Sequence, residues 1–287
     1  MGQRRDLNQA RMLITGASQG IGKALAELAV EKGMKVLAVA RSVDLLQEMA
    51  DELKNKGFSL AIIQGDITSP EDRQKMVQTA QEKFGGLDIL VNNAGIGATG
   101  HFADGAPDRL RKIMEVNFFG LTETTRAFLP MLKQGNKPAI VNISSIAGKR
   151  GIPARSDYSA SKFAVQGFSE ALRAELAKDG VDVLVVCPGL TQTNFSKNML
   201  EQKAKIQMDH MRGMTSEQVA EATLKAIARG KNQITLTFQG KLLLLVNRFF
   251  PWIVDRVTKR KVRGLFQEER EERLAKKANP EKVPEHV

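Results

Sequence analysis

The sequence predicts an α/β fold: a doubly wound parallel sheet of about seven strands with helices on both faces, followed by a C-terminal helical extension. Three observations predict it. Short apolar runs alternate with helix-period segments along most of the chain. A glycine-rich turn separates the first apolar run from the first helical segment. The alternation stops near residue 240, where a basic, amphipathic stretch begins. The apolar runs lie at 12–14, 35–39, 60–63, 89–91, 140–143, 183–186 and 234–236. They are near-continuous, as strands buried on both faces require. Helical periodicity covers 21–32, 43–56, 71–84, 109–133, 160–178 and 216–229. Start signals agree with this: Ser69-Pro70 precedes one helix, and Thr215 with Gln218 has the spacing of a capping box before another. Strict β-α alternation gives parallel strands with right-handed crossovers, which put ligands at the strand C-termini.

Composition excludes several classes. The chain has 287 residues, and its apolar fraction of 42% supports a real core. One cysteine, Cys187, excludes a disulfide framework and a cysteine-based zinc site. His101, His210 and His286 are far apart and in no ligand spacing, so no metal site is expected. The net charge is +11, and nearly half of it lies in 240–287, with 12 Lys/Arg against 7 Asp/Glu. Aromatics make up only 5%, too few for base-stacking platforms, so no nucleic-acid partner is expected. The N-terminal residues carry no apolar signal-peptide core, and the longest apolar stretch, 242–254, is broken by Asn247, Arg248 and Pro251. The expectation is a cytoplasmic protein, with peripheral contact at a membrane surface left open.

The turn after the first strand reads Thr15-Gly16-Ala17-Ser18-Gln19-Gly20-Ile21-Gly22. Its glycines permit a tight turn and close approach to a pyrophosphate at a helix N-terminus. NAD sites usually carry an acid at the end of the second strand, for the ribose 2′-hydroxyl. Here the chain reads Val39-Ala40-Arg41-Ser42. Arg41 can pair with a 2′-phosphate and Ser42 can donate to it, so the expected cofactor is NADP(H).

Tyr158 is the sole tyrosine, and Lys162 follows four residues later, on the same face if a helix starts there. An unperturbed phenol has a pKa of about 10, and a nearby ammonium lowers it, so the phenol can exchange protons near neutral pH. Ser145 lies thirteen residues upstream of Tyr158, at the end of the fifth strand.

From about residue 11 to 236 the chain resembles the short-chain dehydrogenase/reductase superfamily in its single-domain form. The resemblance rests on TGASQGIG at 15–22, Asp66, NNAG at 92–95, Asn117, ISSIAG at 143–148, YSASK at 158–162 and PGLTQT at 188–193, in order and at proper spacing. It implies a Rossmann-like catalytic domain over 1–239, with 240–287 as an extension. It also implies roles. Tyr158 would donate the proton in reduction and accept it in oxidation. Lys162 would lower the tyrosine pKa and hold the nicotinamide ribose, Ser145 would bind the substrate carbonyl, and Asn117 would anchor a relay water. Gly16, Ser18, Gln19, Gly20, Ile21 and Gly22 would hold the pyrophosphate. Asp66 and Ile67 would meet the adenine, and Asn93, Ala94 and Gly95 would flank its ribose. Pro188, Gly189, Thr191 and Thr193 would seat the nicotinamide. A homodimer through the helices at 109–133 and 160–178 is expected.

Many NADP-preferring relatives have a basic residue where Gln19 stands, so Arg41 must carry more of the selectivity and dual cofactor use stays open. A lid is expected at 192–214, holding Phe195, Met199, Met208, Met211 and Met214; thioethers can adapt to a bulky apolar substrate. His101 and Phe102 are candidates for the pocket mouth, and Cys187 for a small buried filler. In the extension, leucines and aromatics stand beside Lys241, Arg248, Arg256, Lys259, Arg260, Lys261 and Arg263. That composition suits either an anionic lipid surface or packing on the protein itself. The expected activity is NADP(H)-dependent interconversion of a lipophilic carbonyl and its alcohol. The alternative is a non-catalytic dinucleotide-binding protein, or a peripheral-membrane interaction protein, with the same fold.

Overall fold

The computed structural model describes residues 2–202 and 213–265, together with residue 274. Strands β1 (Arg11–Thr15), β2 (Lys35–Ala40), β3 (Ala61–Gln64), β4 (Ile89–Asn92), β5 (Ala139–Ile143) and β6 (Asp182–Cys187) alternate with helices α1 (Gly20–Glu31), α2 (Val43–Asn55), α3 (Pro70–Phe84), α4 (Arg109–Met114), α5 (Leu121–Leu132) and α6 (Ser156–Glu175). Two two-residue strands, β7 (Thr191–Gln192) and β8 (Met214–Thr215), pair with each other. Helix α7 (Ser216–Ala228), strand β9 (Gln233–Thr235) and helices α8 (Phe238–Phe249) and α9 (Pro251–Leu265) complete the chain as described.

Seven strands form one sheet in the order β3-β2-β1-β4-β5-β6-β9, and every pairing is parallel. Each of the seven apolar runs became one of these strands. Successive side chains of a strand enter opposite faces of the sheet. Thus Met12 and Ile14 join a core with Leu25, Leu46 and Leu224, whereas Leu13 between them joins Met76, Phe128 and Leu172. Val36, Ala38 and Ala40 divide from Leu37 and Val39 in the same way. Two cores of this kind need helices on both faces, which is the doubly wound arrangement. Strand order reverses between β1 and β4, so the crevice beyond their C-terminal ends is where a ligand fits.

Local signals set the helix ends. The Ser69 hydroxyl accepts from the Asp72 amide at 3.1 Å, with Pro70 opening α3. At α7 the capping box is complete: the Gln218 amide donates to Thr215 Oγ1 at 3.2 Å, and the Thr215 amide donates to Gln218 Oε1 at 3.1 Å.

Two expected boundaries are corrected. The helix at 109–133 is not continuous: a π-helical segment, Glu115–Gly120, separates α4 from α5. An extra residue is accommodated there while the buried Asn117 amide is held by another loop. The helix expected at 160 starts at Ser156, so Tyr158 and Lys162 share it. The amphipathic stretch 242–263 is two helices, interrupted at Phe250-Pro251. Within the extension, residues 266–273 and 275–287 lie outside the described residues.

Candidate active site

The turn leaving β1 is built around glycine. Gly16 and Gly20 have φ of 65° and 55°, in the left-handed region that side chains disfavour. Close approach excludes side chains as well: a Cβ on Gly16 would lie 2.7 Å from Ala94 Cα, and one on Gly22 would lie 2.3 Å from the Gly16 oxygen. The neighbouring loop is laced to this turn. Thr15 Oγ1 accepts from the amides of Asn93 at 3.0 Å and Ala94 at 3.1 Å, and Asn93 Nδ2 donates to the oxygens of Thr15 and Gly16 at 3.0 Å each. The Asn93 side chain is therefore a brace, whatever its backbone meets. Gln19 makes no side-chain cap to α1. The result is a rigid cradle at the positive end of a twelve-residue helix, which fits a pyrophosphate.

At the end of β2, Arg41 is exposed, and its Nη1 lies 3.9 Å from Asp66 Oδ2. Asp66 Oδ1 is occupied by the Thr68 amide and hydroxyl, both at 2.8 Å. Ser42 flanks α2 without a side-chain cap bond, which leaves its hydroxyl available to a ligand.

The chemical groups meet at the ends of β5 and α6. Ser145 follows β5 and lines the same cavity wall as Tyr158, and its side chain accepts from the Ala147 amide at 3.1 Å. Lys162 Nζ lies 5.7 Å from the centre of the Tyr158 ring and donates to the Ile143 oxygen at 2.8 Å. Lys162 is only 4% exposed, and burial pushes its pKa down to about 8. Burial likewise pushes the Tyr158 phenol up from its ordinary value, against the opposing pull of the Ser145 hydroxyl and the Arg155 guanidinium. The expected acidification of Tyr158 by Lys162 is thus corrected. Desolvation dominates, and the opposing charge comes from Arg155.

Asn117 sits in the π segment. Its Oδ1 accepts from the Ile96 amide at 2.8 Å, and its Nδ2 donates to the Ile96 oxygen and to Ser161 Oγ, both at 2.9 Å. Gly95 fits between it and the lysine: a Cβ there would lie 3.1 Å from Asn117 Oδ1 and 3.6 Å from Lys162 Nζ. Cys187 is fully buried, and burial raises its thiol pKa to about 11, so it is a packing residue.

A cavity of about 630 Å³ joins these parts. Its wall includes the glycine loop, Arg41, Ser42, Asp66, Ile67, Asn93, Ala94, Gly95, Ser145, Tyr158 and Lys162, together with Pro188, Gly189, Thr191 and Thr193. Gly22 and Asn117 lie behind the wall, the first packing the loop and the second bracing it. Over the cavity, Thr193 caps the turn Asn194–Ser196, and the Phe195 ring stands 5.7 Å from that of Tyr158. Asn198 Nδ2 reaches across to Gln19 Oε1 at 3.2 Å. Of the expected lid methionines, Met199 lines the cavity and Met214 belongs to β8, while Met208 and Met211 lie outside the described residues. His101 and Phe102 are not in the cavity wall, and Phe102 is exposed.

Sequence reasoning missed Arg155, which lines the cavity beside Tyr158. A cation at a helix start ordinarily reads as solvated, and only the fold turns this one inward. It also missed Arg109, which is buried and ion-paired to Asp157 at 2.5 Å and Glu201 at 3.0 Å, tying α4 to the residue next to Tyr158.

Known proteins bear on this arrangement. An uncharacterized oxidoreductase, YxnA, of Bacillus subtilis is 35% identical over 258 residues, covering 88% of this chain and 72% of that protein. A short-chain dehydrogenase/reductase from Burkholderia phymatum, crystallised with NAD, superposes with a TM-score of 0.77 at 24% identity, over 85% of this chain and 94% of that one. An alcohol dehydrogenase from the archaeon Thermococcus sibiricus, complexed with 5-hydroxy-NADP, gives a TM-score of 0.71 at 26% identity, over 79% and 95%. The sequence model described as short chain dehydrogenase matches residues 10–204, about two thirds of the chain. With the parallel sheet, the glycine cradle and the Ser145–Tyr158–Lys162 cluster, these likenesses make the chain a member of the short-chain dehydrogenase family of oxidoreductases.

Proposed function

We propose that the protein is an NADP(H)-dependent oxidoreductase that interconverts a lipophilic carbonyl compound and its alcohol. One observation carries the reading: Tyr158 shares a cavity with Ser145, with the glycine cradle and with Lys162 one helical turn away. When bound, the nicotinamide supplies or takes up the hydride.

The chain's own groups manage the proton and the geometry. Tyr158, with its pKa raised, is protonated at neutral pH and gives that proton to the substrate oxygen during reduction. A phenol that keeps its proton at neutral pH is in the form that reduction uses. Ser145 donates to the same oxygen and orients it. The Lys162 ammonium, anchored on the Ile143 oxygen at 2.8 Å, would hold the ribose hydroxyls. Asn117 fixes the loop at Ile96 and so sets the cavity floor from which a relay water is drawn.

Arg41 and Ser42 take the 2′-phosphate, with Asp66 and Ile67 against the adenine. The complex of the 26%-identical alcohol dehydrogenase with an NADP derivative supports this preference. Leu190, Phe195 and Met199 supply the apolar wall that favours a lipophilic substrate. Exposed Phe119 and Phe163, beside α5 and on α6, support a homodimer through those helices. We take 240–287 as an extension, of which α8 and α9 dock beside the site. Arg150, just past Ser145, is bonded to Asn247 at 2.9 Å and paired with Asp255. The exposed apolar row of that extension supports peripheral contact with an anionic membrane.

The test is a panel of ketones, aldehydes and alcohols followed by nicotinamide absorbance with both cofactors. Tyr158→Phe is expected to lose turnover by about 10²-fold or more while NADPH still binds. Full turnover by Tyr158→Phe overturns the reading. Arg41→Asp is expected to lose the NADPH preference; an intact preference overturns the cofactor assignment.

A further inference from the structure

We propose that Arg155 forms an anion subsite within the active-site cavity, so that the substrate carries an oxyanion, a carboxylate or a phosphate ester, in addition to its carbonyl. The inference rests on the oxidoreductase reading and narrows its substrate class.

Arg155 flanks the N-terminus of α6, three residues before Tyr158, and lines the same cavity. Its Nε is buried and has no hydrogen-bond partner. Among the described residues no carboxylate pairs with it. The buried arginines among the described residues behave differently. Arg5 is paired with Asp182 at 2.5 Å, and Arg109 with Asp157 and Glu201. The comparison at Asp157 decides the point. This carboxylate is two residues from Arg155, yet it is committed to Arg109 on another helix.

Arg155 is half-buried, and its Nε is shut off from water without a partner, which carries a desolvation cost; guanidinium does not lose its proton in proteins. Its nearest electrostatic partner is Tyr158, which is neutral while it holds its proton. The charge at Arg155 is thus unbalanced in the state that reduces a carbonyl. The backbone before it is also constrained. Ala154 has φ of 58°, a left-handed conformation uncommon for alanine, and its oxygen accepts from the Gly100 amide at 3.0 Å. The groups that fit the dinucleotide phosphates follow β1 and β2, whereas Arg155 belongs to the Tyr158 helix and sits with the apolar wall of Leu190, Phe195 and Met199. A cavity of mixed polar and apolar lining, with a guanidinium that no carboxylate among the described residues pairs, suits an amphipathic oxo acid held through a forked hydrogen-bond pair.

The experiment uses the full chain with NADPH and a series of oxooctanoic acids, the ketone moved along the chain, each beside its methyl ester. At the best ketone position the wild type is expected to favour acid over ester in kcat/KM by about tenfold or more. The preference is expected to vanish in Arg155→Gln and to persist in part in Arg155→Lys. A matching oxoalkyl phosphate series identifies the anion: whichever series gives the larger preference names it. Equal use of acid and ester by the wild type overturns the subsite. An equal loss on both substrates in Arg155→Gln, with the pH profile moved to the alkaline side, also overturns it, because that is the mark of a residue that only tunes Tyr158.

If no carbonyl of any series is turned over, the oxidoreductase reading fails by itself, and binding still decides the subsite. Octanoate is then expected to raise the Tm of the wild-type complex with NADPH and not that of Arg155→Gln. No rise in the wild type overturns it.

Discussion

Lys162 carries a charge that the fold does not accommodate cheaply. Its pKa falls from 10.5 to about 8 on burial. Below about pH 8 both folded and unfolded chains hold the proton, and the native state bears the full desolvation cost. Between about 8 and 10.5 the unfolded chain holds more protons than the native one, so stability rises with pH. The cost removed is on the order of 3 kcal/mol. Lys162→Met lacks this cost at every pH. Urea unfolding of both proteins at pH 7 and pH 10 is therefore expected to show the variant gaining on the wild type at pH 7 and losing that gain by pH 10. A pH-independent difference would mean that the ammonium is not desolvated. The variant is expected to be inactive throughout, as a group kept against stability is kept for its chemistry. The Tyr158–Lys162 pair was legible in the sequence because four residues make one helical turn. The direction of the Tyr158 shift was not, since desolvation is a property of the cavity and not of the spacing. Arg155 was illegible for the same reason.

The element that matters most is the π segment between α4 and α5. Asn117 there satisfies both backbone groups of Ile96 and reaches Ser161 on α6, so one side chain joins three elements around the catalytic face. Asn117→Ala leaves the Ile96 amide and oxygen without those partners. The expected loss is roughly 2 kcal/mol or more of stability, read by urea unfolding. A larger fall in kcat than in NADPH affinity is expected with it, because the brace lies under Tyr158 and Gly95 and not under the phosphate cradle. Stability within a few tenths of a kcal/mol of the wild type would show that the bonds to Ile96 are replaceable. At this scale the strands were legible almost to the residue, since runs buried on both faces are apolar throughout. The cap of α3 and the capping box of α7 were legible from Ser69-Pro70 and from Thr215 with Gln218. The π segment was not, because one inserted residue scarcely disturbs an apolar pattern that still reads as a single helix from 109 to 133.

At the scale of the molecule, the extension presents an exposed apolar row whose partner can be tested. No helix among the described residues is long and apolar enough to cross a membrane. Yet α8 and α9 leave Leu242, Leu245, Phe249, Phe250, Trp252 and Val257 exposed, with Phe249 and Trp252 both at 62%. Sequence composition showed apolar and basic groups together; which side chains pack inward was not legible there, and the fold turns this row outward. Around it lie Lys241, Arg248, Arg256, Lys259 and Arg260, all exposed, while the acid Asp255 is paired with Arg150. Each basic group close to an anionic bilayer contributes about 1 kcal/mol, and aromatic side chains anchor at the headgroup level. The full chain is therefore expected to co-sediment with vesicles containing phosphatidylserine, less with phosphatidylcholine alone, and less again at high salt. Phe249→Ser with Trp252→Ser is expected to cut that binding by about tenfold or more while NADPH binding survives, because both side chains point away from the cavity wall. Binding that is unchanged in the double variant, or equal on both lipids, would remove the membrane from this surface. A monomer–dimer shift in the variant without any vesicle binding would assign the row to a second copy of the chain instead. Because Arg150 links this extension to the loop that carries Ser145, a membrane-bound α8–α9 holds the cavity close to the bilayer, where an amphipathic oxo acid would be drawn from the lipid phase.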